Sequence, residues 1–277
     1  MKTITKLLMV AFMLLMVQTE YVFAQGIKWD GKNEYKEGLA RVKKRGRYGF
    51  IDQAGNMVIP VQWAYASDFS DGLALVKDEN YKIGYIDKTG KMVLPCQYER
   101  CGDFNEGLAS YFDNTTKQYG FMDKTGKIVI PCTWKYAGNF KDGIAYVENS
   151  YGGEGYIDKR GKVLSQMWHQ VRKFCEGLIA VQENGSRLWG FMDKTGKMIS
   201  PCKWEAVGNF QEGMAPVMDN NIHRWGYIDK TGNLVIPCKY ISSHSFEGGT
   251  TVVSYPRDKI RSDVFIIDKT GKILKKM

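Results

Sequence analysis

Histidine is scarce: the chain has three, and His169, His223 and His244 stand apart from one another with no recognisable partner spacing. Its six cysteines form no CxxC pair and no Cys/His cluster of zinc spacing, so no metal site is expected. There is no GxSxG, no HExxH and no phosphate-cradling glycine loop, which removes the commonest hydrolase, zinc-protease and nucleotide signatures. Helical periodicity is sustained nowhere. Long apolar runs are equally scarce, and the run Leu7–Val17 is far below the ~20 residues that cross a bilayer as a helix. No cofactor is implied, and the chain is expected not to be an enzyme.

What is present begins with a leader pattern. Lys2 and Lys6 precede the Leu7–Val17 run, and Val22-Phe23-Ala24 offers small residues before Gln25. A basic start, a short apolar stretch and a small-residue cut predict a signal peptide over 1–24 and one exported domain over 25–277. The destination is the periplasm, the cell surface or the medium, with no transmembrane segment after cleavage. Formal net charge is +9, with 44% hydrophobic and 25% charged residues, enough apolar material for a packed core. Export disfavours nucleic acid as the partner of that positive charge.

Most of the 30 glycines among 277 residues fall into a repeat. A tripeptide ending in Asp recurs at Asp52, Asp87, Asp123, Asp158, Asp193, Asp229 and Asp268, a mean spacing of 36 residues. Glycine follows each Asp three residues later, at Gly55, Gly90, Gly126, Gly161, Gly196, Gly232 and Gly271. A second ladder pairs an acid with glycine, from Glu37-Gly38 through Glu212-Gly213 to Glu247-Gly248. A third is aromatic: Trp29, Trp63, Tyr98, Trp134, Trp168, Trp204 and Tyr240.

Each unit reads as β structure. Leu73–Val76 is a strand after the acid-glycine turn, and Gly84–Asp87 is short, β-branched and aromatic. Asp-Lys-Thr-Gly is a hairpin turn, Met92–Leu94 is the return strand, and Pro95 is expected to end it. The stretch after Tyr98 reads either as a short fourth strand or as an irregular turn. The fold class is therefore all-β, with seven tandem units. A seven-bladed propeller closed by the C-terminal strand is the first expectation, because such closure removes exposed sheet edges, and an open β-solenoid is the alternative.

A glycine precedes the Asp-ending strand at Gly49, Gly84, Gly120, Gly155, Gly190 and Gly226, and tryptophan precedes it at Trp189 and Trp225. With Asp-Lys-Thr-Gly-Lys, Val-Ile-Pro and Glu-Gly-Leu-Ala, the chain resembles the bacterial WG-repeat (KWG-type) family. The resemblance covers essentially all of 25–277. It departs at Phe265, which holds the glycine slot, at Gly249 in place of Leu, and at Ser165 in place of Pro. It implies a repeat scaffold in exported or surface proteins and carries over no catalytic residues.

Asp-Lys-Thr-Gly also opens the phosphorylated-aspartate motif of ion-pumping ATPases. Five copies, at Asp87, Asp123, Asp193, Asp229 and Asp268, suit a repeated turn rather than one reactive aspartate. Cys96, Cys132, Cys202 and Cys238 share one slot and read as small buried residues, while Cys101 and Cys175 hold unique positions that leave a disulfide open. Lysines at 88, 124, 159, 194, 230 and 269 share a turn slot, placed by strand parity on the same edge as the acid-glycine turns. They either pair with those acids or form a basic rim for an anionic polymer.

The opposite edge varies between units, and loops free to vary are free to bind. Candidate binding residues there are Arg45, Arg47, Tyr81, Lys82, Asn114, Lys117, Tyr151, Arg187, His223, Arg224, Tyr255 and Arg257. The expected function is an exported, non-enzymatic scaffold that takes a protein or glycan partner at the cell envelope. A glycan-acting hydrolase or lyase with converging carboxylates and a structural envelope protein with a lysine rim are the alternatives.

Overall fold

The computed structural model describes residues 28–257 and 261–277. The expected leader over 1–24 lies outside these residues, as do positions 258–260 of the last variable loop. Every named element is a strand, and no described helix is long and apolar enough to cross a membrane. The chain divides into two compact units, one up to Ala145 and one from Tyr146.

The first unit opens with an antiparallel sheet of Gly31–Lys36, Leu39–Lys44, Arg47–Ile51 and Met57–Trp63, in chain order. A second follows, of Tyr65–Ala66, Leu73–Lys77, Ile83–Asp87 and Met92–Tyr98. In the third, Leu108–Asp113, Gln118–Asp123 and Ile128–Trp134 pair in sequence, and Cys101 adds a single bridge to Tyr111. The fourth repeat is shared between the two units. The second unit then carries seven strands in one sheet, from Gln170–Val171 to Leu234–Tyr240. Two repeats share its ten-residue strand Met198–Val207. A last sheet holds Ser242–Ser243, Thr250–Pro256, Ser262–Asp268 and Ile273–Lys276.

The open question after Tyr98 is thus resolved in favour of a fourth strand, reduced to two residues or one bridge in most repeats. The C-terminal strand Ile273–Lys276 pairs with Ser262–Asp268 of its own sheet. The first sheet is complete on its own four strands, so the last strand finishes the last repeat and not the first, a correction to the expected closing strand.

Both strand connections on one edge follow from sequence. At the acid-glycine turns, Glu37, Asp71, Glu106, Asp142, Glu176 and Glu212 have φ between 49° and 57°, and each following glycine is also positive. Two positive φ values make the turn whose twist matches the strands it joins. The seventh turn is displaced by one residue: Gly248 and Gly249 take the two positive positions and Glu247 does not. Gly249 is therefore the turn glycine and Thr250 stands in the leucine slot, which corrects the sequence alignment there. At Asp-Lys-Thr-Gly, Asp87 Oδ1 accepts from the Thr89 N–H, the Thr89 hydroxyl and the Lys91 N–H, at 2.6–3.0 Å. The same set recurs at Asp123, Asp193 and Asp268, and at Asp229 with Asn233 replacing lysine. These aspartates are turn caps, and their hydrogen bonds to threonine hold them below the usual carboxylate range.

Proline does not end the return strand. Pro95 lies inside Met92–Tyr98, where Ile83 pairs with Tyr98 and Tyr85 with Leu94. Gly84 alone thus faces Pro95-Cys96-Gln97 across a wide bulge. A Cβ on Gly84 would come within 2.7 Å of the Leu94 carbonyl and 2.9 Å of the Cys96 nitrogen. The repeat's glycine is required by this close approach. In the last repeat Phe265 pairs directly with Lys276 and the bulge is displaced past Ile266, so a side chain fits.

The middle strands are buried on both faces, as at Ala74, Val76 and Ile86 on one and Leu75 and Tyr85 on the other. Successive repeats are joined by ring pairs: Phe50 on Phe69, Tyr85 on Phe104 and Phe121 on Phe140 in the first unit, each with centroids 4.8 Å apart. Phe191 on Phe210 and Tyr227 on Phe246 do the same in the second, at 5.0 Å. Such pairs add about 0.5–1.5 kcal/mol each beyond the area they bury. All six cysteines are free thiols and half-buried, less enclosed than their apolar slot suggests. Burial pushes the Cys101 thiol up to about 12 and Cys202 to about 11.

Candidate functional site

The candidate site is the edge that carries the variable loops. Each loop joins the second and third strands of a repeat by a tight turn. Asp78 Oδ1 accepts the N–H of Asn80 and of Lys82, both at 2.9 Å, and Asn149 does the same for Tyr151 and Gly153. Asp113 and Asp219 cap their loops likewise. A side-chain oxygen that closes its own turn fixes the backbone locally.

The capped turns impose one unusual backbone position, and candidate residues occupy it. Arg45, Tyr81, Lys117, Arg187 and His223 have φ between 49° and 61°. Lys117, Arg187 and His223 share one turn, each N–H bonding the carbonyl four residues before it, whereas Tyr81 bonds three residues back and Arg45 lies in a two-residue hairpin.

Several candidates are engaged with neighbouring loops. Arg47 donates to the Gln62 carbonyl at 3.0 Å and to Glu79 Oε1 of the next loop at 2.9 Å. Lys82 Nζ lies 2.9 Å from Glu99 Oε1. The same carboxylate takes a hydrogen bond from Asn114 and feels the charge of Lys117, and with Lys82 foremost these hold Glu99 below the usual carboxylate range. The structure thus gathers Lys82, Asn114 and Lys117 around Glu99, tying two successive loops together. In the second unit His223 Nδ1 contacts Glu205 Oε2, and Arg224 donates to the His223 carbonyl at 3.0 Å. The Arg45 N–H is held by Asp30 at 2.6 Å, and the Arg187 carbonyl accepts from Gln182 at 2.7 Å.

Glu79, Glu99 and Glu205 escaped sequence reasoning. Glu99 and Glu205 directly follow a ladder aromatic, in a slot that is also acidic at Asp30 and otherwise holds Ala64, Lys135, His169 and Ile241. The available signal was charge complementarity, Lys82 with Glu99 and His223 with Glu205, at separations of 17 and 18 residues.

Other candidates project outward. Tyr151 is 97% exposed and Tyr81 is 70% exposed. Tyr255 is partly covered by an edge contact with Tyr240, its ring centroid 6.3 Å away, and Arg257 is exposed. Large apolar-bodied rings with a polar tip are the residues binding surfaces use most effectively. The first unit presents Tyr81 and the second presents Tyr151 and Tyr255.

On the opposite edge the lysine slot pairs with the acid ladder. Lys88 lies 3.0 Å from Glu37, and Lys124, Lys230 and Lys269 lie 3.1 Å from Asp71, Glu176 and Glu212. Those acids also accept the N–H groups of the next repeat's turn, as Glu212 does from Gly248 and Gly249. Of the structural residues, Trp204 is buried with its Nε1 donating to Ser200 Oγ at 2.9 Å, whereas Trp134 Nε1 is buried without a partner.

Comparison with known proteins agrees with this repeat. The family described as WG containing repeat matches residues 48–82, 83–114, 119–151, 155–186, 189–221 and 225–255. These matches span well over half of the chain, and the protein belongs to that family of β-repeat proteins. No protein of curated function matches it. Among solved structures, it is similar to the computationally designed Ika8 protein, at 10% identity over 88% of this chain and 85% of that one, TM-score 0.40. It is also similar to BamB from Moraxella catarrhalis, at 12% identity over 85% and 78%, TM-score 0.40. The WD40 β-propeller domain of Doa1 matches at 13% identity over 65% and 72%, TM-score 0.32.

Proposed function

We propose that this protein is an exported, non-enzymatic scaffold that holds a protein or glycan partner at the cell envelope through its variable loops. The observation that carries the reading is the loop edge itself: turns capped by side-chain oxygens present different residues, with Tyr81 and Tyr151 exposed. The seven repeats take the four-strand antiparallel order of propeller blades where their sheets are complete, and a seven-bladed propeller is the architecture proposed with it. Small-angle scattering of the purified chain separates a ring from an extended solenoid.

The rival readings receive less support. A lysine rim needs free charge, and Lys88, Lys124, Lys230 and Lys269 are matched by acids. A glycan-cleaving acid needs a raised carboxyl pKa, and Glu99 is lowered by Lys82.

The test is capture of an envelope fraction by the tagged chain, with protease-treated and untreated halves, washed at low and high salt. The Tyr81→Ala/Tyr151→Ala variant is run beside it. Capture that is lost in this variant supports the loops. Capture unchanged by it, or no capture of any envelope component, sinks the reading.

A further inference from the structure

The first unit contains a cleft that the loop reading does not use. Its walls come from one slot pair of the repeat. Tyr48 of the first sheet meets Tyr65 of the second with ring centroids 5.8 Å apart, and two repeats further on Tyr119 meets Tyr136 at 6.1 Å. Between these two tyrosine pairs, the equivalent positions hold Ile83 and Arg100. The charged pair leaves a gap where the repeats on either side place two rings, and a cleft of about 420 Å³ opens there. A second hollow of about 250 Å³ shares Arg100, Gly102, Tyr119 and Asn139 with it, so the two form one groove.

The floor is glycine for a reason. A Cβ on Gly102 would come within 2.6 Å of Ser110 Oγ and 2.7 Å of Asn139 Oδ1. That glycine leaves the amide and hydroxyl beside the backbone at the base of the groove. Two cations stand at its sides, each against a ring: Lys77 Nζ is 5.7 Å from the Tyr65 centroid, and the Arg100 guanidinium carbon is 5.0 Å from Phe112. Of the acids there, Glu99 is already matched by Lys82.

We infer that this groove binds a short acidic saccharide, one carrying a carboxylate on its sugar ring. Tyr65 and Tyr119 give apolar faces for sugar rings, Lys77 and Arg100 meet the carboxylate, and Asn139 and Asp103 exchange hydrogen bonds with hydroxyls. The volume lies in the range of small-ligand sites, which combine apolar walls with a few placed polar groups. Neither Tyr81 nor Tyr151 lines the groove, while Glu99, which gathers the loop residues Lys82, Asn114 and Lys117, does, so the two readings are tested with different variants.

The experiment is calorimetric titration of the purified full chain with trigalacturonate, and with maltotriose as a neutral trisaccharide. Trigalacturonate is expected to bind at least about tenfold more tightly than maltotriose, and more weakly as salt rises. Arg100→Ala and Tyr65→Ala should each weaken it by about tenfold or more. The double variant Ile83→Tyr/Arg100→Tyr copies the tyrosine pair of the two flanking repeats, and should abolish binding while its melting temperature shows it folded. Tyr81→Ala/Tyr151→Ala should leave it unchanged. No binding of trigalacturonate, equal binding of the neutral sugar, or binding that survives in the double variant would overturn the inference.

Discussion

Lys124 and Asp71, 53 residues apart, form an ion pair of 3.1 Å, and the same Asp71 carboxylate accepts the Gly107 N–H at 2.5 Å. One side chain thus joins its own turn, the next repeat's turn and the lysine of an Asp-Lys-Thr-Gly hairpin. Asp71→Asn keeps the shape and tolerates the positive φ of 57°. It removes only the charge. The expected cost is about 1 kcal/mol, a charge-assisted hydrogen bond discounted for partial exposure. Urea denaturation measures it, and no loss of midpoint would mean that the latch contributes nothing.

Gly84→Ala tests the bulge. The added Cβ meets backbone at 2.7 and 2.9 Å, which cannot move away without breaking the return strand. A loss of roughly 2–4 kcal/mol is expected, in the range of severe overpacking. Gly107→Ala is a contrasting case, because nothing lies within 4 Å and only its φ of 91° resists. The ordering of the two denaturation midpoints distinguishes close approach from backbone strain.

The fold was legible where a residue's role is set within its own repeat. The Asp of each hairpin closes its own turn, so Asp87 and Gly90 announced that turn directly. Strand parity placed Lys88 on the same edge as the acid ladder and left pairing with an acid as one of two readings. What was not legible depended on neighbours. Pro95 reads as a strand end by itself, yet it sits inside a strand because Gly84 opposite makes room for a bulge. Gly248 takes the acid's place only because Gly249 follows it, which the sequence pattern does not reveal. In the loops, Tyr81 and Tyr151 were recognisable as exposed candidates. Glu99 was not, since its partners Lys82 and Asn114 come from two different repeats.

Ser200→Ala tests a repeat-specific substitution. Ser200 stands where Ile59 and Ile130 stand in other repeats, and it alone of these gives the buried indole N–H of its repeat's tryptophan a partner. Removing the hydroxyl leaves Trp204 Nε1 unpaired, at an expected cost of about 1–2 kcal/mol. Thermal melting of Ser200→Ala against Ser200→Thr reads the effect, and equal stability of the two would dismiss the hydrogen bond as a contributor.

Thiol reactivity provides a probe of packing. Burial raises Cys202 from an ordinary 9.0 to about 11, so its thiolate fraction at neutral pH falls by about a hundredfold. Cys101, pushed up to about 12 in spite of a hydrogen bond with Tyr85 that lowers it, is suppressed further. Iodoacetamide should label neither in the folded chain on the time scale that labels both in urea. Rapid labelling of Cys101 in the native protein would mean that the strand carrying it opens readily.

Acid should unfold the chain through its turn caps and latches together. Hydrogen bonds to threonine lower Asp87, Asp123, Asp193, Asp229 and Asp268 in the folded state. The Gly249 N–H and Lys269 lower Glu212, and at Glu176 the Gly213 N–H and Lys230 outweigh a burial effect that raises it. A carboxyl that is more acidic when folded stabilises the fold fully above its unfolded pKa of about 4, and that contribution is lost as pH falls through the folded value. Melting temperature should therefore be flat on the acid side of neutrality and drop steeply below about pH 4, since many groups of one sign protonate over the same window. Replacing Asp87, Asp123 and Asp193 together with asparagine, which can still cap the turns, should lower stability at pH 7 and flatten the acid limb. An acid limb unchanged in that triple variant would place the acid sensitivity elsewhere than in the Asp-Lys-Thr-Gly turns.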